Sequence, residues 1–205
     1  MEPQEPMSTT EPAPKTAPRS AGRPRDRRAH HKILEATRAL ASDHSYGGVT
    51  IEGVARAAGV AKTTIYRWWN SKAALVYEAC FDPELRDALP DTGSLEGDLG
   101  ALVRQEVERQ TGEVASRVLP GLIAEQSGAR GTSAILDPIL RPERKRAALV
   151  LERAVQRGEL QDSEGSDLLF DQVAGAVFHR TFVAGNPADS AFQSALTQRL
   201  LGGLK

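Results

Sequence analysis

Residues 49–81, VTIEGVARAAGVAKTTIYRWWNSKAALVYEACF, decide the fold of this chain. The stretch divides into two short helical patterns joined by a tight turn, and a third helix follows. Thr50 is placed to cap the first helix, because a threonine hydroxyl accepts a backbone N–H of the first turn. Gly59 ends that helix, since glycine adopts the left-handed C-terminal conformation at the least cost. The apolar residues between them recur three or four apart and so share one face: Ile51, Val54, Ala55 and Ala58.

The second helical pattern, residues 61–69, buries Ile65 and Trp69 one turn apart and directs polar and aromatic side chains outward. A helix of this length is not stable alone. A short helix that is held by a neighbour and presents hydrogen-bond donors is what the major groove of DNA admits. The alternative interpretation is an αα-hairpin in a helical core, which would not need outward donors. The outward side chains are Lys62, Thr63, Thr64, Tyr66, Arg67 and Trp68.

The run T-I-x-x-V-A-x-x-A-G-V-x-x-x-T-I-Y-x-x-W-x-S-K-x-x-L, residues 50–75, resembles the DNA-binding domain of TetR-type (TetR/AcrR) transcriptional regulators. The similarity extends over residues 29–81. Trp68 departs from the family pattern, which often has a smaller or a basic polar residue there. The resemblance implies an all-α fold, with an N-terminal helix-turn-helix DNA-binding domain and a helical C-terminal domain for ligand binding and dimerisation.

Charge is distributed unevenly along the 205 residues, although the formal net charge is only −1. Residues 19–80 contain eleven Lys and Arg against five Asp and Glu, whereas residues 81–205 contain fourteen against nineteen. A basic N-terminal part on an acidic C-terminal part predicts that only the former contacts phosphates.

The N-terminal residues form two compositional segments. Residues 1–21 contain five prolines and no apolar periodicity, so we predict a disordered tail. Residues 22–28 form a basic arm that includes Arg23 and Arg25. Such an arm can lie in the minor groove of DNA, or it can remain a solvated tail that contacts phosphates without order. The sequence supports both interpretations of the arm.

Helical periodicity continues after a linker interrupted by Pro83, Pro90 and Gly93. Pro120 lies inside one of the predicted helices, where we expect a kink or a break. The resulting domains are the tail, residues 1–21, the DNA-binding domain, residues 22–81, and the C-terminal domain, residues 94–205. Besides those in the opening stretch, the predicted helices cover residues 26–43, 94–110, 114–127, 142–157, 166–184 and 188–204.

Lys72 stands in the first turn of the third helix, directly after Ser71, its predicted N-cap. A cation is unfavourable at the positive end of a helix unless an anion is near, and a DNA phosphate would supply that anion. Phosphate contacts position a protein on DNA, whereas contacts to base edges specify the sequence. The candidates for base edges are Lys62, Thr63, Thr64 and Arg67, and those for phosphates are Thr50, Tyr66, Trp68 and Lys72.

The pattern over residues 166–184 is apolar around most of the helix circumference. Such a helix either lies at the centre of its own core or faces a second chain on one side. The resemblance favours the second explanation, because the family dimerises through its last two long helices. The candidates for a dimer interface are Phe170, Val173, Val177, Phe178, Phe182, Phe192, Leu196 and Leu200.

The C-terminal helices are mainly aliphatic, so a ligand pocket there would be aliphatic with few polar groups. Candidates for those polar groups are Gln105, Gln126, Arg153 and His179, although a histidine such as His179 is more often a satisfied core or interface residue than a ligand contact. The sequence shows no metal-ligand spacing, nucleotide-binding loop or nucleophile motif, which predicts neither a cofactor nor an enzyme. The single cysteine, Cys80, predicts core packing rather than redox sensing, and a reducing compartment.

These features predict a DNA-binding transcriptional regulator that acts in the cytoplasm, and the resemblance implies that it responds to a ligand. We expect a repressor that binds a palindromic operator as a dimer and is released by a small-molecule effector. The alternative is an architectural DNA-binding protein that responds to no ligand.

Overall fold

The computed structural model describes residues 27–81, 88–127 and 133–204, with side chains at all of these except 126, 127 and 133–139. Every long element in these ranges is a helix and none is a strand, which confirms the predicted all-α fold. None of these helices combines the length and the apolar composition that crossing a membrane requires. The helices are α1 Arg27–Asp43, α2 Ile51–Ala58, α3 Lys62–Tyr66, α4 Lys72–Phe81, α5 Leu95–Thr111, α6 Glu113–Ser127, α7 Ser133–Gln156, α8 Ser166–Phe178 and α9 Ser190–Leu204.

Helices α1 to α4 form the N-terminal head around a core in which Ile33, Val54, Ile65 and Leu75 are fully buried. The predicted ends of α2 are confirmed. The Thr50 hydroxyl accepts a hydrogen bond from the N–H of Gly53 at 3.0 Å, and Gly59 adopts the left-handed conformation with φ of 67°.

Helix α3 ends at Tyr66, so the predicted helix over residues 61–69 is too long at its C-terminal end. Arg67 and Trp68 form a turn, and Trp69 is buried beyond it. The helix ends early because α4 begins almost at once. Ser71 caps α4 as predicted, since its Oγ accepts a hydrogen bond from Ala74 N at 3.1 Å.

The C-terminal body packs α5 between α7, α8 and α9. An ionic cluster ties the start of α5 to the end of α7, with Arg157 donating to Asp98 at 2.9 Å and to Glu159 at 2.6 Å. Burial raises the pKa of Asp98, but hydrogen bonds from Thr92 and Arg157 outweigh burial and hold that pKa below its ordinary value.

The helix boundaries in the body also differ from prediction. Helix α6 continues through Pro120 without a break, and α7 begins at Ser133 rather than at Pro142. A proline within a helix removes one backbone hydrogen bond but does not end a helix whose faces are held by packing. The predicted helix over residues 166–184 is α-helical to Phe178 and ends in a π-helical turn, His179–Val183.

Helix α6 stands between α5 and α7 of the body in chain order but packs with the head. Its buried residues, Ala115, Val118, Leu119 and Leu122, belong to the same apolar core as α1 to α4. Tyr46, in the short 3-10 turn Tyr46–Gly48 of the head, lies directly against Gly121 of α6.

We expect Gly121→Ala to separate α6 from the head, because the added methyl carbon would lie 2.8 Å from Tyr46 Cβ. The cost in free energy of unfolding should be roughly 1–3 kcal/mol, as for other overpacked contacts. The matched control is Gly202→Ala in α9, where an added methyl group meets no atom within 4 Å. The free energy of unfolding of each variant is measured in urea. Equal changes for Gly121→Ala and Gly202→Ala would contradict the close packing.

Candidate nucleic-acid interface

The surface of α3 presents the side chains predicted to contact base edges. Lys62, Thr63 and Arg67 are exposed, and Tyr66 has 56% of its surface exposed. Thr64 is half-buried. Ile65 faces the core and holds the helix in place, so the donors are presented by a supported element.

Lys62 forms an ion pair within the head, with its Nζ 2.7 Å from Glu52 Oε1. The hydrogen bond between them lowers the pKa of Glu52 and raises the pKa of Lys62. Both groups are exposed, and exposed pairs of this kind contribute little to stability. A guanine edge or a phosphate can therefore replace Glu52 as the partner of Lys62 at small cost.

Lys72 is also paired, with a residue outside the head. Its Nζ lies 3.2 Å from Glu125 Oε2 of α6 and 3.9 Å from the centre of the Tyr46 ring. The anion near the positive end of α4 is thus a carboxylate of the same chain. Burial and the nearby Glu125 carboxylate raise the pKa of the Tyr46 phenol above its ordinary value. A phosphate contact by Lys72 remains a prediction, and it requires exchange with Glu125.

Thr50 and Trp68 lie beside α3, at the start of α2 and after the end of α3. Thr50 is exposed, and its hydroxyl hydrogen can still donate while the oxygen caps α2. Trp68 is half-buried and packs against His30 of α1, with ring centres 4.4 Å apart. Sequence reasoning did not single out His30, although its position beside the basic arm was visible. Arg23 and Arg25 lie outside the described residues.

The predicted ligand-contacting residues are not drawn together by contacts that the structure shows. Gln105 donates to the carbonyl of Ala88 and accepts from Arg146. Arg153 donates to the carbonyls of Leu89 and Pro90, so both predicted residues tie helices to the linker. His179 is exposed, and the side chain of Gln126 lies outside the described residues. All four stay predictions.

A buried polar cluster in the body was missed by sequence reasoning. Arg109 donates to Glu106, and Gln110 donates to Glu106 at 2.6 Å and to the carbonyl of Ala174 in α8 at 3.0 Å. The buried Oε1 of Gln110 has no hydrogen-bond donor among the described residues. The available signal was periodicity, because Glu106 and Gln110 follow Val103 at spacings of three and seven on the apolar face.

The predicted dimer residues fall into two groups. Phe170, Val173, Val177 and Leu200 are buried by this chain itself, which matches the first explanation of the apolar helix. Phe178, Phe182, Phe192 and Leu196 are half-buried. Two apolar residues not predicted, Leu168 and Val183, are 62% and 63% exposed.

Cys80 is consistent with the predicted core packing. Burial raises the pKa of its thiol to about 11. The thiol is therefore protonated and weakly reactive at neutral pH. Within the parts of the chain that the structure describes, no group of side chains has the composition of a metal site.

We expect Lys62→Ala to weaken binding to the preferred DNA sequence by roughly 1–3 kcal/mol and to relax specificity at one position in each half-site. Glu52→Gln is the matched variant, since it frees Lys62 without removing it and should leave the preferred sequence unchanged. Sequencing the duplexes that each variant selects measures its preferred DNA sequence and its specificity at each position. If the Lys62→Ala variant keeps the wild-type sequence preference, base contact by Lys62 is excluded.

Two family models match the chain in the order that the fold shows. Residues 33–79 match the model described as bacterial regulatory proteins of the tetR family, which spans most of the head. Residues 89–200 match the tetracyclin repressor-like C-terminal domain.

Relatives and solved structures agree with these matches. The DNA-binding transcriptional repressor TetR of Mycobacteroides abscessus is 31% identical over 159 residues, 76% of this chain and 83% of that protein. The HTH-type transcriptional regulator YdeS of Bacillus subtilis is 27% identical over 185 residues, 90% of this chain and 93% of that protein. The crystal structure of a TetR family transcription regulator is 35% identical, with a TM-score of 0.66, and the comparison covers 86% of this chain and 98% of that one.

The fold is shared with the fatty acid degradation regulator FadR from Bacillus halodurans. That protein is 19% identical, and its TM-score is 0.60 over 86% of this chain and 96% of its own.

The family follows from the two matched family models together with the exposed donors of α3 and the capped helix-turn-helix. The chain belongs to the TetR family of DNA-binding transcriptional regulators.

Proposed function

We propose that this regulator is a homodimeric cytoplasmic repressor that binds a palindromic operator and is released by a small-molecule effector, without catalysis. The observation on which the proposal rests is the contact between Glu125 of α6 and Lys72 at the start of α4. This contact joins the DNA-binding head to a helix that stands between α5 and α7 of the body in chain order. The name of the relative from Mycobacteroides abscessus, a repressor, supports the direction of regulation.

Helix α6 holds the head at three points along its length. Arg117 donates to the carbonyl of Ser42 at the end of α1 at 2.7 Å, Gly121 packs on Tyr46, and Glu125 pairs with Lys72. Displacement of α6 would therefore move α1 and α4 together. An effector whose affinity for the body depends on the position of α6 can therefore change how the two heads of a dimer are spaced.

The charge on Glu125 gives the same helix an electrostatic effect on DNA binding. While Lys72 is paired with Glu125, its charge is largely neutralised and a carboxylate stands near the expected path of a phosphate. When DNA binds, Lys72 exchanges Glu125 for the phosphate, and Glu125 opposes the exchange. An effector that stabilises the paired state lowers DNA affinity by the difference between its affinities for the two states.

The polar part of an effector site is best supplied by the buried cluster on α5. Gln110 is buried in the body, and its Oε1 has no donor within the described part of the chain. A buried acceptor without a donor is costly, so a ligand hydroxyl or amine that donates to it would gain affinity. The surrounding helices supply mainly aliphatic residues, which suits an effector with an apolar body.

A second chain is proposed to cover the apolar residues that this chain leaves open. Leu168 and Val183 lie at the two ends of the α8 region, and Phe182 between them is half-buried. Two-fold pairing of α8 and α9 would bury this surface and place two heads on successive major grooves.

Selection of bound duplexes from a random library tests the function, with and without candidate metabolites. The proposal predicts enrichment of a palindrome whose half-sites are about one helical turn apart, and loss of binding with one class of metabolite. Binding without sequence enrichment would instead indicate an architectural protein.

We expect Glu125→Gln to raise affinity for all duplexes by roughly three- to tenfold and to steepen the salt dependence by about one unit per chain, because Lys72 is freed. The matched control is Glu113→Gln, which removes an exposed carboxylate from the other end of α6. In the Lys72→Ala background, Glu125→Gln should give no further gain. Equal effects of the two glutamine variants would contradict the exchange.

We expect Leu168→Glu and Val183→Glu to yield folded monomers with weak operator binding, because charge would replace exposed apolar surface in the interface. Val173→Glu should unfold the body, since burying an unpaired charge costs several kcal/mol. Sedimentation and circular dichroism distinguish the two results. A wild-type chain that sediments as a monomer at micromolar concentration would exclude the dimer.

A further inference from the structure

His30 lies at the centre of an aromatic and acidic cluster in the head. Its ring stacks on Trp69, with centres 4.9 Å apart and planes 19° apart, and contacts Trp68 at 4.4 Å. Its Nε2 lies 3.0 Å from Glu78 Oε1, while Trp69 Nε1 donates to the other oxygen, Oε2, at 2.7 Å. One carboxylate of α4 thus holds both rings.

The cluster joins two parts of the head that are next to predicted DNA contacts in the chain. His30 stands in the first turn of α1, two residues after the last residue of the basic arm, residues 22–28. Trp68 lies in the turn that follows α3, the predicted recognition helix. The position of the His30 ring therefore relates the start of α1, where the arm joins it, to the end of α3.

Protonation changes the charge of this ring without breaking its contact with Glu78. The neutral ring donates from Nε2, and the added proton binds at Nδ1. The charged ring gains an ion pair with Glu78 and cation–π contacts with the two indoles. The neighbouring group that opposes the charged form of His30 is His31, also on α1. The two rings lie edge to face, with centres 6.1 Å apart. Trp68, in the turn, and Trp69, directly after it, contribute no charge, and Glu78 contributes the negative charge from α4.

We propose that His30 is a protonation-dependent positioning residue for DNA binding, so that its charged form is favoured on DNA and binding takes up a proton there. The negative potential of the phosphates supplies the preference. The charged ring then holds the start of α1 more tightly against the end of α3. The proposal concerns the DNA-binding head alone and does not depend on an effector or on a palindrome.

The direction of the pH dependence follows from linkage. Because DNA favours the protonated ring, the added affinity is fully present at pH values where the His30 ring is already protonated in the DNA-free protein. The added affinity is lost as the pH rises and the His30 ring of the DNA-bound protein loses its proton. Since histidine changes charge between about pH 5 and 8, affinity should rise by roughly three- to tenfold from about pH 8 to about pH 6.

The test measures Kd by fluorescence anisotropy for a mixed-sequence duplex, across this pH range at constant ionic strength. In the variant His30→Gln the amide can still donate to Glu78 but cannot take up a proton, so its pH profile should be flat to within about twofold. The matched control is His31→Gln, which removes the neighbouring exposed histidine and should keep the wild-type slope. Parallel profiles for the wild type and His30→Gln, or a flat wild-type profile, would overturn the proposal.

A measurement on the wild-type chain keeps the proposal testable if His30→Gln does not fold. The ring proton of His30 is followed by NMR through a pH titration, with and without the same duplex. The midpoint of its titration should shift upward when DNA is present. An unchanged or lower midpoint would overturn the proposal, whatever the variants show.

Discussion

Helix α6 buries Val118, Leu119 and Leu122 in the core of the head, and this packing constrains the rest of the molecule. The head completes its apolar core only by recruiting a helix that lies between two helices of the body. Gly121 allows the approach, because any side chain there would collide with Tyr46. The DNA-binding element is consequently not an independent unit, and its orientation depends on where the body holds α6.

The charged groups of the head show a second constraint. Lys62 and Lys72, the two lysines of the head that are predicted to contact DNA, are both paired with carboxylates of the same chain. The two pairs differ in consequence. Glu52 belongs to the head itself, so the proposed exchange of Glu52 for DNA would leave the domain arrangement unchanged. Glu125 belongs to α6, so the proposed exchange at Lys72 would also alter the contact between head and body.

In the body, buried polar groups connect one helix to another. Asp98 and Arg157 connect α5 to the end of α7, and Glu106, Arg109 and Gln110 extend a polar row along α5 to α8. Such networks cost desolvation and are stable only when their members are satisfied. The Oε1 of Gln110 has no donor among the described residues, which is why the proposed effector is expected to donate to it.

The sequence by itself determined the features that depend on neighbours a few positions away: the Thr50 cap, the left-handed Gly59, the buried pair Ile65 and Trp69, and the all-helical class. Periodicity shows that a face is buried but not which element covers it, because that choice is made by residues far apart in the chain. Only the tertiary structure therefore assigned α6 to the head, gave Lys72 the partner Glu125 and placed His30 between two indoles. It also shortened α3, since the burial of Trp69 beside Glu78 and the early start of α4 outweighed the helical pattern.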